Sequence, residues 1–216
     1  MPVNNTLIFD VVTLFPNLFT EHLNTLPLKR AIEKGLVQVN LIDLRKYAID
    51  KHGTVDDKPY GGGTGMVLMI EPIFKALNEI GDRQKTLLMS PRGKRYTQQK
   101  ANELSKLNHI TIICGRYEGI DARVEENLAD ESISVGDYVL SGGEIPAMAI
   151  MESITRLIPG VLEKEDATTK ESFTDWGIEH PQYTRPEDFN GWKVPPVLLS
   201  GNHKEIEKWK KDNSLR

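Results

Sequence analysis

A single cysteine, Cys114, occurs among 216 residues. That excludes an intrachain disulfide and any zinc site built on several thiolates. The five histidines (His22, His52, His109, His180, His203) fall at no metal-ligand spacing. No apolar run reaches the ~18 residues that a membrane-spanning helix needs, so no membrane partner is expected. The opening MPVNNTLIFDVVTLF lacks the basic region and small-residue cleavage site of a secretory signal. A soluble, cytoplasmic protein is the resulting expectation. Two phosphate-binding signatures are also missing: there is no Gly-x-Gly-x-x-Gly, and no Gly-Lys-Ser/Thr closes a Walker loop. Their absence weighs against an ordinary doubly wound NAD-linked oxidoreductase and against a standard Rossmann methyltransferase.

What is present is globular. Apolar residues make up 39% and charged residues 27%, with a net charge of −4, which supplies a real core and rules out a disordered chain. At ~100–200 residues per domain, the length suggests one domain with a small appendage. Up to about residue 160, strand-like and helix-like segments alternate. Leu7–Leu14 reads as a buried first strand, and Leu28–Lys34 as a short helix stopped by Gly35. Val37–Asp43 alternates as a strand should, and a polar, glycine-rich loop fills 44–65. Strands are predicted at Met66–Ile70, Thr86–Met89 and His109–Cys114. Helices are predicted at Pro72–Ile80, Thr97–Leu107 and Ala122–Leu128, followed by mixed strand and loop over Ile133–Leu140. Gly143–Leu157 is a helix apolar all round, which suggests burial on several sides. This alternation implies an α/β domain with a mainly parallel sheet. The domain is expected to span 1–160. A polar, flexible linker at 161–176 and a small, mostly helical domain at 177–216 follow. Residues 176–216 carry all three tryptophans, Trp176, Trp192 and Trp209, and a helix from about Asn202 to Asp212.

Four segments could carry chemistry. Pro59-Tyr60-Gly61-Gly62-Gly63-Thr64-Gly65 has four glycines in five residues, which lets backbone amides approach a ligand; a mobile surface loop reads the same way. Ser90-Pro91-Arg92-Gly93-Lys94-Arg95 follows a strand and lies within residues 81–100, where six Lys/Arg face one Asp. Such local clustering suits phosphate contact, or simply a solvated run. Cys114-Gly115-Arg116-Tyr117-Glu118-Gly119-Ile120-Asp121 and Ser134-Val135-Gly136-Asp137-Tyr138-Val139-Leu140-Ser141-Gly142-Gly143-Glu144 are two further glycine-bearing turns at strand ends. Open α/β sheets bind ligands at the carboxyl ends of strands. Three such turns in one domain would suit an adenosine-like ligand. Cys114 ends an apolar strand and reads as a buried, inert thiol. Arg156 at the end of the long helix complements the helix dipole, and Glu171 sits in the polar linker. Spacing alone assigns neither a role.

Taken in order, these segments resemble one family. So do Arg156-Leu-Ile-Pro-Gly-Val161, Tyr183-Thr-Arg-Pro186 and Val194-Pro-Pro-Val-Leu-Leu-Ser-Gly201. The chain is similar, from about residue 8 to 210, to the bacterial tRNA (guanine-N1)-methyltransferases, the TrmD family of the SPOUT class. The resemblance implies a deep trefoil knot in the α/β domain, an exception to the rule against knots. It implies S-adenosyl-L-methionine held by Pro91, Gly115, Tyr117, Glu118, Val135, Gly136, Asp137, Tyr138, Val139, Leu140, Gly142, Gly143 and Pro146. Tyr60, Gly61, Gly62, Gly63 and Arg185 would meet the RNA. It further implies a homodimer with active sites at the subunit interface, a tRNA-binding C-terminal domain, and methylation of guanine 37 beside the anticodon where guanine 36 precedes it. Magnesium dependence is another family expectation, with no ligand cluster in the sequence to match it.

By the same resemblance Arg156 supplies a guanidinium near guanine O6. A carboxylate accepts the N1 proton, the division of labour that a weak nucleophile needs. The family pattern for that carboxylate is Asp-Ser-Phe; here it reads Glu171-Ser172-Phe173. Glu171 is the matching residue, one methylene longer, with Asp166 and Asp175 as lesser substitutes. Thr64 replaces the more usual proline or alanine, and the C-terminal helix stops short of the family's basic tail. His203–Arg216 still holds five Lys/Arg against three acids. These departures leave open a catalytically impaired relative that binds cofactor and tRNA.

Overall fold

The computed structural model describes residues 6–163, 171–173 and 177–214. The chain divides into two compact units, Met1–Leu162 and Glu163–Arg216. Most of the predicted linker, with Asp166, Asp175 and Trp176, lies outside the described residues.

The first unit is an α/β sheet protein. Its elements run β1 (Leu7–Thr13), α1 (Thr20–Leu23), α2 (Leu28–Glu33), β2 (Val37–Asp43), β3 (Asp56–Asp57), β4 (Val67–Leu68), α3 (Ile70–Ile80), β5 (Lys85–Arg95), α4 (Gln98–Leu104), β6 (His109–Cys114), α5 (Ala122–Asn127), β7 (Glu131–Ser134) and α6 (Glu144–Thr155). Short 3₁₀ turns occupy Pro16–Phe19 and Leu44–Tyr47. Strands β1, β2, β5, β6 and β7 form one parallel sheet in the order β2-β1-β6-β5-β7. The central strands are near-continuous apolar runs because helices cover both faces. Alternate side chains of β1 feed two cores. Phe9 and Val11 pack with Leu87, Met89, Ile110, Ile112, Ile150, Met151 and Ile154. Val12 packs with Leu44, Ile73, Leu77, Leu88, Ile113 and Val124 on the other face. Each fully buried side chain of this size contributes roughly 1.5–3 kcal/mol.

The structure places α1 and β3 where the sequence reading expected no element, and β5, α3 and α6 also depart from it. β5 does not stop at Met89. After a register shift, Met89 and Lys94 both pair with Ile133, and the strand runs on to Arg95. Proline and glycine at 91 and 93 argue against a strand, but the bulge takes both out of regular pairing. α3 begins at Ile70 rather than Pro72. Pro72 still lies in the first turn, where its missing N–H has no intrahelical partner to lose. α6 buries one side only: Ala147, Ile150, Met151 and Ile154 face inward, while Ile145 remains 60% exposed.

In the second unit, β8 (Asp188–Phe189) and β9 (Trp192–Lys193) form a hairpin that the sequence reading did not foresee. Asn190 and Gly191 turn it with φ of 54° and 86°. α7 (Pro196–Leu199) and α8 (His203–Asp212) follow. Asn202 caps α8, accepting from the amide of Glu205 at 3.4 Å.

Candidate active site

The bulge within β5 and the carboxyl ends of β6 and β7 open into one cavity of about 290 Å³. The bulge after Met89 contributes Ser90, Pro91 and Arg92. The segment after β6 contributes Gly115 to Asp121, and the long turn after β7 contributes Val135, Gly136 and Tyr138 to Gly143. Leu88, Ile120, Ile133 and Pro146 make the wall apolar.

Two segments far apart in sequence close the cavity. Gly143 N–H donates to the Gly115 carbonyl at 2.9 Å. A side chain at 143 would sit 2.8 Å from the Cα of Cys114 and 2.9 Å from the Gly115 nitrogen, so backbone packs directly on backbone there. Ser134 holds the neighbouring turn: its hydroxyl donates to the Gly136 carbonyl at 3.0 Å and accepts from the Gly136 amide at 3.3 Å. Tyr117, half-exposed on the cavity wall, has a φ of 62°. A non-glycine residue in that region stores strain, which is concentrated at functional sites.

The glycine-rich loop reaches this cavity through the backbone. Glu118 N–H donates to the Met66 carbonyl at 3.0 Å, Leu68 N–H to Gly119 at 3.0 Å and Asp121 N–H to Leu68 at 2.9 Å. Gly65, with φ of 81°, lies so close to the Glu118 side chain that a Cβ would collide with it. Sequence spacing gave no signal of this coupling. Tyr60, at the loop's tip, is fully exposed, and Gly61 and Gly62 have open space around them.

Of the thirteen residues expected to hold the cofactor, twelve line the cavity: Pro91, Gly115, Tyr117, Glu118, Val135, Gly136, Tyr138, Val139, Leu140, Gly142, Gly143 and Pro146. Asp137 does not. Its carboxylate pairs with Arg95 at 3.5 Å and is 87% exposed, because the turn directs it to the bulged end of β5. Arg156 closes α6, half-buried, its N–H donating to the Glu152 carbonyl at 3.1 Å. Glu171 and Arg185 belong to the second unit, half-buried and exposed respectively.

The electrostatics separate inert from poised groups. Cys114 is buried, and its thiol is held well above the ordinary value, first by desolvation and then by the charge of Glu144. It is no thiolate at neutral pH. Asp121, on the cavity wall, is held below the usual carboxylate value, chiefly by its hydrogen bond from the Arg123 side chain. It also caps α5 by accepting from the Arg123 amide at 3.0 Å. The sequence reading placed Arg116 and Glu144 within two of its candidate turns but gave neither a role of its own. The one available signal was Glu144 itself, an acid at the first position of a mostly apolar helix.

A family model, tRNA (Guanine-1)-methyltransferase TrmD, matches residues 7–216. The chain belongs to the TrmD family. A tRNA (guanine-N(1)-)-methyltransferase of Anoxybacillus flavithermus is 54% identical over 211 residues, covering 96% of this chain and 86% of the relative. Its counterpart in Geobacillus kaustophilus is 51% identical over 210 residues, covering 96% and 86%. The crystal structure of tRNA (m1G37) methyltransferase from Aquifex aeolicus superposes with a TM-score of 0.80 at 44% identity, covering 95% of this chain and 88% of that one. The parallel sheet and its turns are therefore the TrmD fold.

Proposed function

We propose that this TrmD-family chain transfers a methyl group from S-adenosyl-L-methionine to N1 of guanine 37 in tRNA. The observation that carries the reading is the convergence of three glycine-bearing turns, from β5, β6 and β7, on one cavity. The cavity suits an adenosyl group. It has apolar walls for a base, backbone amides and carbonyls along Val135–Gly143 for its edge, and no side chain at Gly115 or Gly143 to block approach. Knotting of the chain around these turns belongs to the same proposal.

S-adenosyl-methionine, when bound, supplies the methyl group on a sulfonium, with no covalent enzyme intermediate required. Glu171 accepts the proton leaving guanine N1, and Arg156 stabilises the negative charge that grows on O6. Glutamate keeps the carboxylate of the family's aspartate on a side chain one methylene longer. Tyr60, the glycines 61–63 and Arg185 are assigned to the RNA. Among the described residues no group of three or more His, Cys, Asp or Glu side chains could hold a metal ion.

A homodimer is part of the reading. Leu18, Leu26 and Ile145 are 50–63% exposed and are borne by packed elements around α1, α2 and α6. That apolar surface is what a second copy would cover. Among the described residues no helix is long and apolar enough to cross a membrane, and a cytoplasmic site of action follows from a tRNA substrate. Calorimetry with S-adenosyl-homocysteine and with NAD tests the cofactor assignment: the first is expected to bind and the second not. Binding of NAD alone would overturn it.

A further inference from the structure

A buried carboxylate organises the cavity from behind. Glu144 is 1% exposed and does not line the cavity. Its Oε1 accepts from the Thr13 hydroxyl at 2.8 Å, and its Oε2 accepts from Arg116 Nε at 3.0 Å. Thr13 in turn accepts from the Phe15 amide at 3.0 Å. Arg116 does line the cavity. It also donates to the Ser141 carbonyl at 3.2 Å and lies 4.5 Å over the Phe15 ring. The chain of contacts therefore closes on itself: Phe15, Thr13, Glu144, Arg116 and back to Phe15. One guanidinium ties the 115–118 wall to the 141–143 wall, beside the backbone pairing of Arg116 with Gly142.

Stability alone is a poor reason to keep such a group. Burying an ion pair costs desolvation that its attraction repays only partly, and apolar replacements of similar volume are often as stable. A pair placed where two loops must meet in one geometry has a different use. We infer that Glu144 is a positioning residue for the donor cavity. Acting through Arg116, it fixes the spacing of the 115–118 and 141–143 walls and thereby sets affinity for the methyl donor rather than the rate of transfer. This rests on the cofactor reading above.

The test combines calorimetry with S-adenosyl-homocysteine, steady-state methylation and thermal melting. The proteins are wild type, Glu144→Gln, Arg116→Lys and the apolar pair Glu144→Leu/Arg116→Met. The single variants are expected to bind at least about tenfold more weakly, since small misplacements of a built site are costly. KM for the donor should rise in step while kcat stays near wild type. The apolar pair should recover the melting temperature without recovering affinity, a split that a merely structural role would not produce. It also decides the matter should the single variants fail to fold. Wild-type affinity in any folded variant, or a fall in kcat at unchanged KM, overturns the proposal alone. Failure of the wild-type protein to bind S-adenosyl-homocysteine overturns the cofactor reading and this proposal with it.

Discussion

The amide of Gly143 donates to the carbonyl of Gly115 at 2.9 Å, joining residues 28 positions apart at the mouth of β6. One consequence concerns Gly143→Ala. The new methyl has backbone atoms of Cys114 and Gly115 within 3 Å, so the two segments must separate. Overpacking of this kind costs ~1–3 kcal/mol. The variant should melt lower than wild type and lose measurable S-adenosyl-homocysteine binding by calorimetry. Unchanged affinity would mean that this backbone contact does not shape the cavity.

Removing the proton acceptor should stop chemistry and spare binding. Glu171→Gln is expected to lower single-turnover methylation by ~10²–10⁴-fold. Glu171→Asp should stay active, and a gain in rate would show that the extra methylene limits the natural protein. Full activity in the glutamine variant would move the base elsewhere.

Arg156→Ala tests charge stabilisation on the base. Loss of one such donor costs roughly 10²–10³ in kcat. Donor-cavity affinity should remain, because Arg156 is not among the residues lining that cavity. A parallel loss of S-adenosyl-homocysteine affinity would make its role structural.

The lone thiol gives a stability signature in alkali. Burial holds Cys114 above its ordinary value of 9.0 in the folded protein, so the folded state keeps a proton that the unfolded chain releases. Its effect on stability is nil below that value and unfavourable as pH rises past it. Urea titrations from pH 8 to 10 should show stability falling more steeply for wild type than for Cys114→Ala. Identical slopes would contradict the assignment.

Much of this was legible in the sequence because it depends on local pattern. Val37–Asp43 and His109–Cys114 alternate or run apolar as strands must, and the structure has strands over those same residues. The turns after β6 and β7 announced themselves by glycine at strand ends. What stayed hidden is long-range. The continuation of β5 through Arg95 depends on a bulge against Ile133, which no local rule encodes. Asp137 looked like its neighbours in sequence, yet its carboxylate is taken by Arg95. Thr13 and Glu144 are 131 positions apart, and only the parallel sheet brings them together.

The central claim is a methyl transfer to one atom of one base. Labelled S-adenosyl-methionine should be incubated with a tRNA transcript carrying guanines 36 and 37, and the product digested and resolved as nucleosides. Label recovered in 1-methylguanosine, absent when guanine 37 is replaced by adenine, is the predicted result. Label at another position, or none with a protein shown to bind S-adenosyl-homocysteine, would contradict it.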